Sequence, residues 1–299
     1  FPAGVPDWAR HHARRGIADL PPDAPEGTLP PVDRPAVWIG YLHHQFGHLV
    51  AESAGRMLWS RNQRPDDLYL FAMAPGLTPA RAGLHVRDVL SWFGMPQAQL
   101  RQITGPVMAR ELRVFPQAEL FEGAGPGAAY LDLLDRHVAA AGLRSVPSDI
   151  LFVTRAGMLS QQTGSHAGEG YLRDLLAGLG VTVLDPERMS LRAQLAAYAG
   201  ARRIVFSEGS ALHGRQLLGR IGQGVMVLNR RPGARTAEAA LRPRVADLTY
   251  VEATAALATP VRWGKEGRNH ALSFYDLQAV LAAFDDYCTG LRYSCVTPD

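Results

Sequence analysis

Three histidines and a glutamate crowd the stretch Tyr41-Leu42-His43-His44-Gln45-Phe46-Gly47-His48-Leu49-Val50-Ala51-Glu52. A helix starting near Gly47 puts His48 and Glu52 at i and i+4 on one face, and Arg56 continues that face one turn further. Imidazole accepts a proton near neutral pH, and a partly desolvated Glu does the same. His48, or failing that Glu52, could therefore act as general base toward a substrate hydroxyl. Two other uses stay open. His44, His48 and Glu52 could ligate zinc, although His-X-X-X-His without the adjacent Glu of the zincin motif is a thin signal. His43 and His44 could also do no more than hydrogen-bond within a loop that ends a strand.

The second constellation is Ile204-Val205-Phe206-Ser207-Glu208-Gly209-Ser210-Ala211-Leu212-His213. A parallel strand that ends in a small-residue turn aims the next helix's unpaired N–H groups at the carboxyl edge of a sheet, which favours a phosphate. Gly209 permits close approach, and Ser210 could cap the helix or donate to a phosphate oxygen. Arg155 follows the apolar run 150–154 and so reaches the same edge, where a guanidinium could neutralise a diphosphate. The plainer alternatives are an ordinary helix cap and a surface Arg paired with Glu169 or Asp185.

Other chemistries have no foothold in the sequence. It contains no nucleophile elbow, Walker loop, Gly-X-Gly-X-X-Gly run or Asp-X-Asp metal motif. Asp132, Asp135, Asp285 and Asp286 fall in helical patterns and read as solvated faces. A net charge of +3 and a pI near 9.0 are too slight to argue for nucleic acid. The local basic clusters, Arg10 to Arg15 and Arg230, Arg231, Arg235, Arg242 and Arg244, would suit phosphates or anionic headgroups, or simply form solvated faces. Cys288 and Cys295 lack partners at zinc-ligand spacing and form no disulfide framework; a single terminal bridge stays open, and a reducing compartment is the simpler reading. No apolar run approaches the roughly 20 residues that span a bilayer. Residue 1 is Phe, so nothing about targeting is read from it.

These residues must be held by an alternation of strands and helices. Strands are expected at 36–41 and 68–73, with short ones near Leu100 and Leu112, and helices at 47–60, 84–93 and 128–141. The later half is more regular, with strands at 150–154, 181–184, 204–207 and 225–228 and helices at 168–179, 191–199 and 210–218. Such strand-helix-strand repeats argue for a Rossmann-like parallel sheet covered on both faces. Ser-Val-Pro-Ser within 143–149 marks a boundary. Ser273, three residues before Asp276, reads as the capping-box start of a last helix.

In order and spacing these segments resemble glycosyltransferase family 61, a family of bacterial polysaccharide-building enzymes and eukaryotic xylosyl- and N-acetylglucosaminyltransferases. Gly47-His48-Leu49-Val50-Ala51-Glu52 with Arg56 is similar to the family's His-containing helix with its acidic residue and Arg. Phe152-Val153-Thr154-Arg155 followed by Gly168-Glu169 resembles its strand-Arg segment and Asn-Glu pair. Val183-Leu184-Asp185-Pro186-Glu187, Ser190-Leu191-Arg192-Ala193-Gln194 and the Glu208 to His213 turn resemble its strand, Ser-Leu-X-X-Gln helix and Gly-small-small turn. Many relatives carry His in place of Glu208, Asn in place of His213 and Asn in place of Gly168.

The resemblance implies an α/β, GT-B-like fold with two Rossmann-like domains facing across a cleft. Residues 1–35 would form an arm or linker, 36–146 an acceptor-side domain and 147–270 a nucleotide-sugar-binding domain. Residues 271–299 would form a helix able to pack back on the N-terminal domain. It implies an inverting, metal-independent hexosyl- or pentosyltransferase that needs no cofactor. Such an enzyme moves sugar from a nucleotide sugar to a glycan or lipid-linked glycan in bacterial capsule or other surface polysaccharide synthesis.

Donor contacts would be Arg155, Glu169, Ser190, Gln194, Glu208, Gly209, Ser210, Ala211 and His213, with Arg155 and the amides at 209–211 taking the leaving diphosphate's charge. His48 and Glu52 would be catalytic, and His43, His44 and Arg56 acceptor-side. The setting would be cytoplasmic, at the inner face of the membrane with peripheral association, and without nucleic acid. The rivals are a metallohydrolase built on His44, His48 and Glu52, and an inactive glycan- or nucleotide-binding module.

Overall fold

The computed structural model describes residues 26–119, 125–161, 164–262, 265–266 and 271–288. The expected arm over residues 1–25, the Arg10 to Arg15 cluster and Cys295 lie outside the described residues. The chain divides into two compact units. One comprises Phe1–Gly142, Gln216–Arg220 and Ala239–Arg244; the other comprises Leu143–Arg215, Ile221–Glu238 and Val245–Asp299. Among the described residues no helix is long and apolar enough to cross a membrane.

In the first unit, β1 (Ala36–Tyr41), β2 (Leu68–Ala72), β3 (Leu100–Gln102) and β4 (Leu112–Val114) form a parallel sheet in the order β3-β2-β1-β4. β1 is apolar along most of its length and buried on both faces, as an interior strand of a parallel sheet must be. A helix over residues 46–63 (α1) and Leu84–Trp92 (α2) make the crossovers, and Ala128–Ala140 (α3) follows β4. Part of the expected arm is structured: Pro31–Val32 pairs with Met108–Ala109, and Val32 is buried with Ala36 and Leu70. Proline opens that short strand, where its missing N–H costs least.

Two later segments return to this unit. Trp92 Nε1 donates to the Leu217 carbonyl at 3.2 Å. Arg220 bonds Asp135 at 2.7 Å and also pairs with Asp132, so these acids anchor a returning segment rather than forming a purely solvated face. Arg244 and Glu119, both buried, pair at 2.8 and 3.0 Å.

The second unit contains β5 (Ser148–Val153), β6 (Ser165–Ala167), β7 (Thr182–Leu184), β8 (Ala201–Ser207), β9 (Gly224–Leu228), β10 (Asp247–Val251), β11 (Thr254–Ala258) and β12 (Leu272–Tyr275). Five of these form a parallel sheet ordered β10-β9-β8-β5-β7, and β11-β12-β6 form a smaller mixed sheet. Its helices are α4 (Glu169–Gly178), α5 (Leu191–Gly200) and α6 (Leu277–Cys288).

Ile150, Phe152, Val205, Met226 and Leu228 pack with Leu172, Leu176, Val280 and Phe284 into one core. The helix α6 is therefore part of the second unit's core. Full burial of Phe284 contributes about 2 kcal/mol, which favours that seat.

Two local expectations fail. Ser273 is buried inside β12 instead of starting a helix. Asp276 is the cap, its Oδ1 accepting from Ala279 N at 3.0 Å and its carbonyl from Val280 N at 3.0 Å. The run Ser210–Leu217 is a 3-10 helix, not an α-helix. Residues 212–219 are buried throughout, polar His213, Arg215 and Gln216 included, and this packing overrides the amphipathic pattern.

Candidate functional site

In the first unit, β1 carries a bulge between Trp38 and Gly40. Gly40 has φ 107°, a backbone conformation that glycine adopts without strain. Beyond the strand, Ser53 Oγ donates to the Tyr41 carbonyl at 2.9 Å and fixes the strand end to α1. That helix widens into a π-turn over Val50–Ala54, a distortion frequent at functional sites. Glu52 sits in it.

Glu52 bridges two imidazoles, with Oε1 at 2.5 Å from His48 Nδ1 and Oε2 at 3.1 Å from His43 Nε2. The His43 and His48 ring centres are 5.2 Å apart, and Tyr41 meets His43 edge-on at 4.8 Å. Burial alone would raise the Glu52 carboxyl. Hydrogen bonds and charge attraction from His43 and His48 outweigh burial and bring it down to about 2. So acidic a carboxylate is a poor base near neutral pH but a good anchor. With Nδ1 committed to Glu52, His48 carries its basic lone pair on Nε2.

His44 does not join this cluster. Its side chain is exposed, and its carbonyl accepts from His85 Nε2 at 2.7 Å. Among the described residues no group of three or more His, Cys, Asp or Glu is arranged to hold a metal ion, so the His44, His48 and Glu52 zinc site is not formed. Arg56 is 4% exposed and donates from Nε to the Phe115 carbonyl at 3.0 Å. Burial lowers its guanidinium to about 10. It braces α1 against the segment after β4.

In the second unit, adjacent parallel strands end on Thr154-Arg155, Ser207-Glu208-Gly209 and Asn229-Arg230-Arg231. Open α/β sheets bind ligands at such an edge. Arg155 Nη2 donates to the Gly164 carbonyl at 2.7 Å. A Cβ on Gly209 would lie 1.7 Å from Arg155 Nη1, so the guanidinium occupies the space that glycine leaves. Burial lowers the Arg155 guanidinium below its usual range, offset by the charges of Glu169, Glu208 and Glu187.

Glu169 and Glu208 hold the frame. Glu169, fully buried at the start of α4, accepts from Thr154 Oγ1 at 2.8 Å, Arg155 N at 2.8 Å, Ser207 Oγ at 2.6 Å and Tyr275 Oη at 2.7 Å. Four donors offset the cost of burying its charge and tie β5, β8 and β12 together. Glu208, also fully buried, accepts from the backbone N of Arg230 and of Arg231, both at 2.9 Å, from Arg231 Nε at 2.8 Å and from Thr236 Oγ1 at 3.0 Å. Burial works to raise its carboxyl, but the Arg231 charge and hydrogen bonds prevail and lower it.

The remaining expected donor contacts have local roles. Ser190 caps α5, accepting from Ala193 N at 3.3 Å. Gln194 donates to the Pro186 and Met189 carbonyls at 2.8 and 3.1 Å, closing the turn before α5. Ser210 is exposed, Ala211 half-buried and His213 buried, all within the 3-10 run.

Two residues at this edge, His166 and Tyr275, carry no sequence signal, and a third, Arg230, stood out only as part of a basic cluster suited to phosphates. Arg230 is 6% exposed and follows β9 much as Arg155 follows β5. The same end-of-strand argument could have found it. His166 and Tyr275 stack with ring centres 4.0 Å apart, and Ser273 Oγ lies 2.7 Å from His166 Nδ1. Burial foremost, then the Arg230 and Arg155 charges, depress His166 to about 3, so it is neutral near pH 7. No local pattern signals that stack, because its rings come from neighbouring strands of the small sheet that lie far apart in sequence.

A family model described as glycosyltransferase 61 matches residues 46–215, more than half of the 299-residue chain. The matched stretch contains His48, Glu52, Arg155, Glu169 and the Glu208 to His213 turn, and ends before Arg230. No curated protein matches the chain.

Proposed function

We propose, on the premise that this chain belongs to glycosyltransferase family 61, that it moves a hexosyl or pentosyl group from a nucleotide sugar to a glycan hydroxyl with inversion and without a divalent metal. Membership makes it a glycosyltransferase that uses a sugar donor and a glycan acceptor. The finer proposal includes a two-domain GT-B arrangement and a bacterial enzyme of capsule or other surface polysaccharide synthesis. It extends to a cytoplasmic enzyme peripheral to the inner face of the membrane, acting on a glycan or lipid-linked glycan, with no cofactor and no nucleic acid.

One observation carries the catalytic reading: the 2.5 Å bond that commits His48 Nδ1 to Glu52. In the proposed displacement, the acceptor oxygen forms a bond to the anomeric carbon as the bond to the diphosphate oxygen breaks. The acceptor proton passes to His48 Nε2, and Glu52 stabilises the imidazolium. Negative charge grows on the departing nucleoside diphosphate. Arg155, in its desolvated setting against Gly209, supports the role of stabilising it. Glu169, Glu208, Ser190 and Gln194 position this edge through the bonds described above.

The test is a thermal-shift screen of UDP-, GDP-, dTDP- and CMP-sugars, followed by transfer assays with the stabilising donor in the presence of EDTA. Acceptor-dependent release of nucleoside diphosphate, with the product's anomeric configuration opposite to the donor's, supports the proposal. Retention of configuration, or activity abolished by EDTA and restored by a divalent ion, overturns its finer terms.

A further inference from the structure

We propose that Arg230 is a second anion-binding arginine, which with Arg155 brackets the diphosphate of the nucleotide sugar; this rests on the donor reading above. In the sheet order, β5 and β9 flank β8. Arg155 follows β5, Arg230 lies two residues past β9, and the Glu208-Gly209 turn follows β8 between them.

Arg230 is 6% exposed, and its guanidinium donates from Nη1 to the Ala271 carbonyl at 3.1 Å. Its Nε is buried without a hydrogen-bond partner among the described residues, and so is Nε of Arg155. Neither guanidinium is ion-paired with a carboxylate among the described residues. The nearby acids are engaged otherwise: Glu208 with Arg231 and backbone amides, Glu169 with hydroxyls and one amide. Both cations also bear on His166, which is stacked on Tyr275.

Both guanidiniums are desolvated and keep a buried Nε–H without a partner among the described residues; the charges of Glu208 and Glu169 partly compensate them, and the oxygens of an anion would satisfy those donors. A purely structural Arg230 would need only its bond to Ala271. Glu208 serves the same site at one remove, because it holds the backbone N–H groups of Arg230 and Arg231 and so sets where Arg230 leaves the strand.

The experiment is calorimetric titration of the full chain with inorganic pyrophosphate, which carries no base or sugar, and with UDP, GDP and dTDP. Arg230→Gln, Arg230→Lys and Arg155→Gln are compared with Arg235→Gln, an exposed arginine paired with Glu252. Folding is checked by circular dichroism. Arg230→Gln is expected to weaken pyrophosphate binding by about tenfold or more, Arg230→Lys by less, and Arg235→Gln not at all. Unchanged pyrophosphate affinity in a folded Arg230→Gln, with affinity lost in Arg155→Gln, overturns the role of Arg230 and leaves the donor reading standing. If Arg230→Gln does not fold, wild-type affinity in Arg230→Lys overturns it. Wild-type affinity in both Arg155 and Arg230 variants, or no binding by the wild type, overturns the donor reading as well.

Discussion

His48 Nδ1 lies 2.5 Å from Glu52 Oε1, within a helical turn widened to π geometry. The carboxylate, down at about 2, fixes the tautomer that makes Nε2 the base. Glu52→Gln exchanges that acceptor for an amide, which can donate to Nδ1 and move the ring proton to Nε2. We expect kcat for transfer to fall by about 10²-fold or more, with donor KM little changed. Initial rates at saturating donor measure this, and a kcat equal to wild type would remove Glu52 from the mechanism.

Gly209→Ala introduces a Cβ where Arg155 Nη1 now lies, 1.7 Å from the ideal Cβ position. The guanidinium must leave its seat. Nucleotide affinity should drop by about tenfold, and stability by about 1–3 kcal/mol if the crowding is only partly relieved. Nucleotide titration together with urea unfolding reads both, and an unperturbed affinity would mean that Arg155 does not need this position.

Tyr275→Phe removes one of the donors to the buried Glu169 carboxylate. A hydrogen bond to a charged group contributes about 1.5–3 kcal/mol, and the loss should appear as a lower urea midpoint with an unchanged m-value. An unchanged midpoint would show that Glu169 is satisfied without β12.

His166 gives the protein a pH signature. Its folded value, about 3, lies below the ordinary 6.5, so between these values the unfolded chain binds a proton that the folded chain refuses. Stability is therefore lost as pH falls through that window, by up to about 1.4 kcal/mol per pH unit for this one group. His166→Gln should flatten the fall in urea midpoint between pH 6.5 and 5. Parallel curves for variant and wild type would refute the assignment.

Features set by short stretches of chain were the legible ones. Four strands of the second unit's parallel sheet followed from apolar runs, and the end-of-strand position of Arg155 and the i, i+4 spacing of His48 and Glu52 were visible locally. What escaped depends on distant partners. Tyr275 reaches Glu169 across 106 residues, and Arg244 reaches Glu119 across 125, separations that no periodicity encodes. Ser273 imitated a capping box, but β6 and β11 draw it into a strand. The departure from the resemblance at Gly168 is mild: its φ of 84° is a conformation that Asn, the residue in many relatives, also tolerates. Glu208, where many relatives carry His, is a larger departure, since its carboxylate draws together Arg231, Thr236 and two backbone amides.

His48 and Arg155 have separate roles in the proposed transfer, and nucleotide titration alongside turnover of two variants tests this separation most directly. With the donor from the screen, folded His48→Ala should bind nucleoside diphosphate like wild type yet transfer about 10²–10⁴-fold more slowly, whereas Arg155→Ala should lose both binding and transfer. Near-wild-type turnover in either variant, or intact nucleotide binding in Arg155→Ala, would contradict it.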